Sequence, residues 1–214
     1  MTTESENEPD WLKAGTTNSS DVAAYYNDWA KTYDDTLKDW DYRAPSEAAA
    51  ALAAQVKPGA KILDVGCGTG LFGKAMSERL DCHIEGLDIS ATSLELAGAR
   101  GCYERLQCHD LQVIPLPVSD NAFDAAACIG VLTYIEDPAD LLTDLCRTVR
   151  SGGFITFTQR EDRWVEKDFA ALIARLEDQG HWTTLSVSEP RPYLPKNEEF
   201  SDTTKVIHVL CRVA

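Results

Sequence analysis

The feature that most constrains this chain is a nine-residue run, Ile62-Leu63-Asp64-Val65-Gly66-Cys67-Gly68-Thr69-Gly70. An apolar stretch at 61–65 stops at a glycine, three glycines alternate with single residues, and a helical pattern takes over from residue 70. Glycine is needed where the backbone bends sharply, and where a ligand approaches closer than a Cβ would allow. A strand that feeds a tight turn and then a helix is the opening unit of a parallel sheet, so the run predicts an α/β fold.

The rest of the sequence continues that alternation. Residues 70–80 read as a helix, 83–87 as a strand and 91–100 as a helix that Ser90 can cap. Residues 102–108 form a weaker strand, and 122–129 are nearly all apolar, as a strand buried on both faces should be. Asp137-Pro138 opens the next helix, which is expected to end at Arg150-Ser151-Gly152-Gly153 with a glycine cap. A strand at 154–158 and a helix at 164–179 follow. Strands near 182–187 and 205–213 have no helix between them and are expected to pair antiparallel at one edge. Pro190, Pro192 and Pro195 make their link a loop or a partly extended segment.

Upstream of the glycine run the pattern is helical. Val22, Tyr25 or Tyr26, Trp29, Tyr33 and Leu37 recur at three- and four-residue steps and put an aromatic stripe on one face, with Asp21 as a cap. A second, Ala-rich helix runs over 45–56 and stops at Lys57-Pro58-Gly59. Residues 1–20, with Glu4, Glu6, Glu8 and Asp10 among polar neighbours, read as a flexible acidic tail in which Trp11 and Leu12 can dock locally. That leaves residues 21–214 as a single domain, with 21–57 as its helical cover; 214 residues at 44% apolar suit one well-filled core.

Composition narrows the partners. Asp and Glu number 35 against 20 Lys and Arg, a formal charge of -15, which repels phosphate backbones and anionic lipid. Nucleic acid and membranes are therefore not expected partners, and a small molecule is. The seven cysteines show no C-x-x-C spacing, so no metal site is expected, and they read as reduced thiols of a cytoplasmic protein. The first residues lack the basic start and apolar run of a secretory signal, and no stretch approaches the ~20 apolar residues of a spanning helix. The pattern leaves the oligomeric state open.

The chemistry turns on two readings of the glycines. Gly68 to Gly73 also fits G-x-G-x-x-G, with Asp88 twenty residues beyond Gly68, which taken alone suggests a dinucleotide and a dehydrogenase. Asp64, at the end of the strand, argues against it. A dinucleotide places its pyrophosphate at this turn, where a carboxylate repels it by on the order of a few kcal/mol even at an effective dielectric of ~20. S-adenosylmethionine carries an ammonium and a sulfonium there instead. Asp88 ends the second strand, where a carboxylate can accept from both ribose hydroxyls, and Ile89 can lie on the adenine face. Asp110, after the third strand, can accept from the adenine amino group while the Leu111 amide faces a ring nitrogen. Ile129-Gly130 should run beside the ligand at the end of the fourth strand. Gly66, Cys67, Gly68 and Gly70 complete the expected cradle.

These residues resemble the class I S-adenosylmethionine-dependent methyltransferases. The run at 64–70, the acids Asp88 and Asp110, and Gly152-Gly153 before a strand fall in that family's order, over roughly residues 20–214. The segments Tyr26-Asn27-Asp28-Trp29-Ala30-Lys31-Thr32-Tyr33-Asp34 and Tyr42-Arg43-Ala44-Pro45 are similar to the Williams–Beuren-syndrome-region methyltransferase-like proteins. The resemblance implies a Rossmann-like, doubly wound, seven-stranded sheet with a reversed last strand and an N-terminal helical lid. It also implies that Tyr33 offers its ring to the sulfonium and that Arg43 pairs with the cofactor carboxylate. Many relatives carry a His shortly after the fourth strand; this chain has Val131-Leu132-Thr133-Tyr134.

Methyl transfer is an in-line displacement at a carbon the sulfonium already activates, so the enzyme mainly aligns the reactants and excludes water. A base is needed only for a poor nucleophile. Tyr134, Tyr26 and His109 are the candidates for one. No Asn-Pro-Pro-Tyr or Pro-Cys motif marks a nucleobase acceptor. The alternative from another class is a protein that binds S-adenosylmethionine or S-adenosylhomocysteine without catalysis.

Overall fold

A computed structural model describes residues 8–201 and 203–214. The elements run α1 (Glu8–Ala14), α2 (Ser19–Asp39), α3 (Ala44–Ala53), β1 (Ala60–Val65), α4 (Leu71–Ser77), β2 (Cys82–Asp88), α5 (Ala91–Ala99), β3 (Arg105–Cys108) and β4 (Phe123–Cys128). After a single 3-10 turn at Leu132–Tyr134 come α6 (Pro138–Thr148), β5 (Val149–Arg160), α7 (Glu161–Glu166), α8 (Phe169–Asp178), β6 (Trp182–Val187), β7 (Arg191–Pro192) and β8 (Lys205–Val213).

One sheet holds all the strands, in the order β3-β2-β1-β4-β5-β8-β6, with β7 on the side of β8. The first five are parallel to their neighbours, and β8 runs antiparallel to both β5 and β6. The fold is thus the Rossmann-like one expected, with eight strands rather than seven. The extra strand is the two-residue β7, which pairs Arg191 with Val206 and Pro192 with Lys205 inside the proline-rich link. The final pair is as expected, antiparallel at one edge of the sheet, with β6 outermost and the reversed last strand β8 between it and β5.

Strand alternation divides the core. Leu63 and Val65 of β1, with Ala126 and Cys128 of β4, face α6 and α8 through Leu141, Leu145, Phe169 and Ile173. Ile62, Ala125 and Ala127 face α3 and α4 through Ala48, Leu52, Phe72 and Met76. Both faces of the central strands are covered, which is why 122–129 carries almost no polar residue. Each fully buried Leu, Ile or Phe here contributes roughly 1.5–3 kcal/mol of transfer free energy.

A third cluster lies outside the sheet. Leu12, Trp29 and Leu37 pack with Leu194 and Phe200, and Trp11 stacks on Tyr25 with ring centroids 4.2 Å apart. The expected tail is therefore corrected from residue 8 on, where α1 forms and buries Leu12. Glu4 and Glu6 lie outside the described residues. Asn18, not Asp21, caps α2, its Oδ1 accepting from the Asp21 amide at 3.1 Å. Two further boundaries differ. Helix α6 ends at Thr148, and Gly152 (φ +76°) falls inside β5, where the pairing with β4 shifts register. Gly153 is required by closeness, since a Cβ there would meet the Asp124 carbonyl at 2.6 Å. The helix expected over 164–179 is two, broken at Asp168, whose φ of +46° an Asp tolerates better than most residues.

Candidate active site

The site is built at the carboxyl ends of the parallel strands. After β1 the chain turns through Gly66 (φ +73°) and Gly68 (φ +52°), both in the left-handed region that favours glycine. The amides of Gly66 and Cys67 donate to the Leu87 carbonyl at 2.8 and 3.0 Å, which hangs the turn on the end of β2. A Cβ on Gly66 would collide with Val131, whereas one on Gly68 would enter open space. The Gly68 amide donates to Asp88 Oδ2 at 2.7 Å, and the Ser90 amide to Asp88 Oδ1 at 2.8 Å. Each carboxylate oxygen therefore keeps a lone pair for a further donor. Burial pushes the Asp88 carboxyl up, and the backbone N–H groups of Ser90, Gly68 and Ile89 pull it back. Ser90 itself caps α5, accepting from Ser93 at 3.1 Å, as expected.

Two connected cavities open around this turn. The larger is lined by Gly66, Gly68, Asp88, Ile89, Asp110, Leu111 and Ile129 from the strand ends. Its other walls are Ser19, Val22, Tyr26 and Tyr33 from α2 and Val131, Tyr134 and Ile135 from the segment after β4. The smaller shares Tyr33, Gly66, Gly68, Thr69 and Ile129 with it and adds Tyr42, Asp64 and Cys67. Asp64 is 1% exposed. Its carboxyl is pushed up to about 7 on balance: burial raises it most, a hydrogen bond from the Tyr103 hydroxyl, 2.6 Å from Oδ2, opposes the rise, and the charge of Asp88 adds to it.

Most of the expected cofactor residues thus meet on one cavity system. Three of the residues named from the sequence, Arg43, Gly70 and His109, line neither cavity. Arg43 lines neither cavity; it is exposed and paired with Asp41. Gly70 (φ +88°) also lines neither, because its place is the start of α4, where a Cβ would meet Tyr103 at 2.9 Å. Cys67 lines the smaller cavity, and burial raises its thiol. His109 stands outside the cavity lining, its Nε2 2.9 Å from the Val113 carbonyl oxygen. Tyr26 and Tyr134 do line the cavity, edge to face at 5.7 Å. Burial raises both phenols, so at neutral pH they are protonated donors rather than bases.

Several site residues have no local signature. Helix α2 is fastened over the turn by Asn27, whose Oδ1 accepts from Ser90 Oγ at 2.8 Å and the Thr92 amide at 3.2 Å. It is fastened again by Asp34, which accepts from Thr69 Oγ1 at 2.5 Å and pairs with Arg100. Gln112, beside Asp110, donates to Ser19 Oγ at 3.1 Å and accepts from the Glu136 amide at 3.0 Å, joining the start of α2 to the loop before α6. Among the described residues no cluster of three His, Cys, Asp or Glu is placed to hold a metal ion, and no helix is long and apolar enough to cross a membrane.

Comparison with known proteins agrees with this geometry. A methyltransferase-domain family model matches residues 63–157. The solved structure of a geranyl diphosphate methyltransferase in complex with S-adenosylmethionine superposes with a TM-score of 0.63, at 17% identity, over 79% of this chain and 85% of that one. The chain belongs to the class I S-adenosylmethionine-dependent methyltransferases, and S-adenosylmethionine is its cofactor. Within that class it is similar to human Methyltransferase-like protein 27, with 34% identity over 168 residues, 75% of this chain and 68% of the relative. It is also similar to mouse Probable tRNA methyltransferase 9B, with 31% identity over 138 residues, 58% of this chain but 29% of that protein.

Proposed function

We propose that the acceptor is a small molecule, neutral or cationic at its reacting end, taken up beneath α2 and methylated by in-line displacement. The lining of the larger cavity carries this reading. Tyr26, Tyr33, Tyr134, Val22, Val131 and Ile135 supply aromatic and apolar walls, the charged side chains are Asp88 and Asp110, and no Lys, Arg or His of the described residues lines it. A nucleic-acid acceptor brings phosphates that need cations, and the chain's -15 charge opposes them.

In this reading Asp88 accepts from the ribose hydroxyls, Ile89 lies against adenine, and Asp110 with the Leu111 amide meets the adenine edge. Gly68, with open space where a Cβ would stand, lets the backbone approach the ligand. Tyr33 lines both cavities and offers its ring to the sulfonium, and Asp64 faces the ammonium from the smaller cavity. When bound, S-adenosylmethionine supplies a methyl group already activated by positive sulfur. The chain's own part is to align the reactants and to exclude water under α2; its cavity tyrosines stay protonated and take up no proton, so a methylated amine carries its proton out and loses it to solvent after release. That favours acceptors with an available lone pair, such as amines or thiolates.

The test is to incubate the protein with methyl-labelled S-adenosylmethionine and, separately, a small-metabolite fraction, total tRNA and a protein extract. Label is expected in the small-molecule fraction. Label confined to tRNA or protein would overturn the acceptor class.

A further inference from the structure

Tyr103 lies between α5 and β3 and has no part in the reading above. Three glycines surround its ring. A Cβ built on Gly70 would meet Tyr103 Cε2 at 2.9 Å, one on Gly86 would meet Cε1 at 3.1 Å, and one on Gly73 would run into the ring and hydroxyl. The ring therefore fills the volume that β2, the glycine turn and α4 leave between them. Its hydroxyl emerges at Asp64, donating to Oδ2 at 2.6 Å.

We infer that Tyr103 is a positioning residue for cofactor binding: its hydroxyl aims the Asp64 carboxylate at the smaller cavity while its ring braces the glycine turn. The inference rests on the reading that Asp64 faces the cofactor's ammonium. The titratable groups that act on or feel Asp64 are Asp88, Tyr103, Cys67, Cys102 and Cys128. None is cationic. Burial raises the phenol and the three thiols, so they are neutral near pH 7.

The sign of the pH dependence follows. The Asp64 carboxyl is pushed up to about 7, chiefly by burial, and an ammonium beside it favours the carboxylate. Binding below that pH expels a proton, so affinity climbs as pH rises through about 7 and then levels. The Tyr103 hydroxyl donates to the charged form and holds the midpoint down. Removing it moves the climb to higher pH, by about one unit for a hydrogen bond to a charged group.

The experiment measures Kd by calorimetry at pH 6.5 and 8.5 for wild type, Tyr103→Phe and Asp64→Asn. The ligands are S-adenosylhomocysteine, which keeps the ammonium, and 5′-methylthioadenosine, which keeps the nucleoside and lacks the amino-acid end. Tyr103→Phe is expected to weaken S-adenosylhomocysteine about tenfold at pH 6.5 and no more than about twofold at pH 8.5. 5′-Methylthioadenosine should change by less than about twofold at either pH, because it presents no ammonium to Asp64. Asp64→Asn should weaken S-adenosylhomocysteine at both pH values and abolish the pH dependence. Equal weakening of both ligands by Tyr103→Phe would reduce Tyr103 to packing and overturn the inference. So would an unchanged Kd at pH 6.5. An Asp64→Asn variant that binds normally would instead remove Asp64 from the site.

Discussion

The floor of the cavity and its roof are held by different forces. The floor is backbone: amides of Gly66, Cys67 and Gly68 bound to Leu87 and Asp88, on strands buried on both faces. The roof is side chains: Asn27, Asp34 and Gln112 reach from or to α2, and the Trp29 and Leu37 face packs on Leu194 and Phe200. A floor of that kind is specified by a few adjacent residues. A roof of that kind is specified by partners scattered over the whole chain, and each fastening is individually weak.

Three substitutions sharpen or break that contrast. Gly68→Val should have the largest effect. It puts a β-branched residue at φ +52°, a strain of about 1–3 kcal/mol, and its Cβ into open space at a position that lines both cavities. S-adenosylmethionine affinity is expected to fall at least ~100-fold, read by calorimetry, with the ligand-free circular dichroism spectrum retained. Binding within tenfold of wild type would show that the floor does not touch the cofactor. Asp34→Asn should have a smaller effect. It removes the partner of Arg100, and a part-exposed ion pair contributes ~1 kcal/mol or less, so cofactor dissociation should quicken by about two- to fivefold in stopped-flow traces. A change as large as that at Gly68 would erase the distinction between floor and roof. Arg43→Met should do least: S-adenosylmethionine affinity within about twofold, because the guanidinium is exposed and tied to Asp41. A tenfold loss would return Arg43 to the site.

The same contrast decides what could be read from the residues alone. The turn at Asp64–Gly70, and Asp88, Asp110 and Ile129 at strand ends, were legible because apolar alternation fixes where strands stop, and a parallel sheet puts its ligands there. Arg43 was placed by resemblance, and an acid two residues away claims it in this chain. Tyr103 was invisible in a short strand pattern, since its meaning depends on Gly70, Gly73 and Gly86, which meet only in three dimensions. The proline-rich link read as a loop or a partly extended segment, yet Leu194 and Phe200 within it are fully buried. Leu194 between Pro192 and Pro195, with Phe200 shortly after, was the signal that something covers them. Asp34 and Asn27 looked like ordinary polar positions on a helix, because sequence spacing shows which face is apolar and not which polar side chain finds a distant hydroxyl.

The pairing of Trp29 and Leu12 with Leu194 and Phe200 also has a consequence for biosynthesis. The aromatic helix leaves the ribosome before the residues that cover it, which are made roughly 170 positions later. At about 5–20 residues per second, that interval is on the order of ten to thirty seconds. For that time each nascent chain carries an uncovered aromatic face, the kind of surface that chaperones bind, and the roof of the cavity gains its backing only once Leu194 and Phe200 have been made.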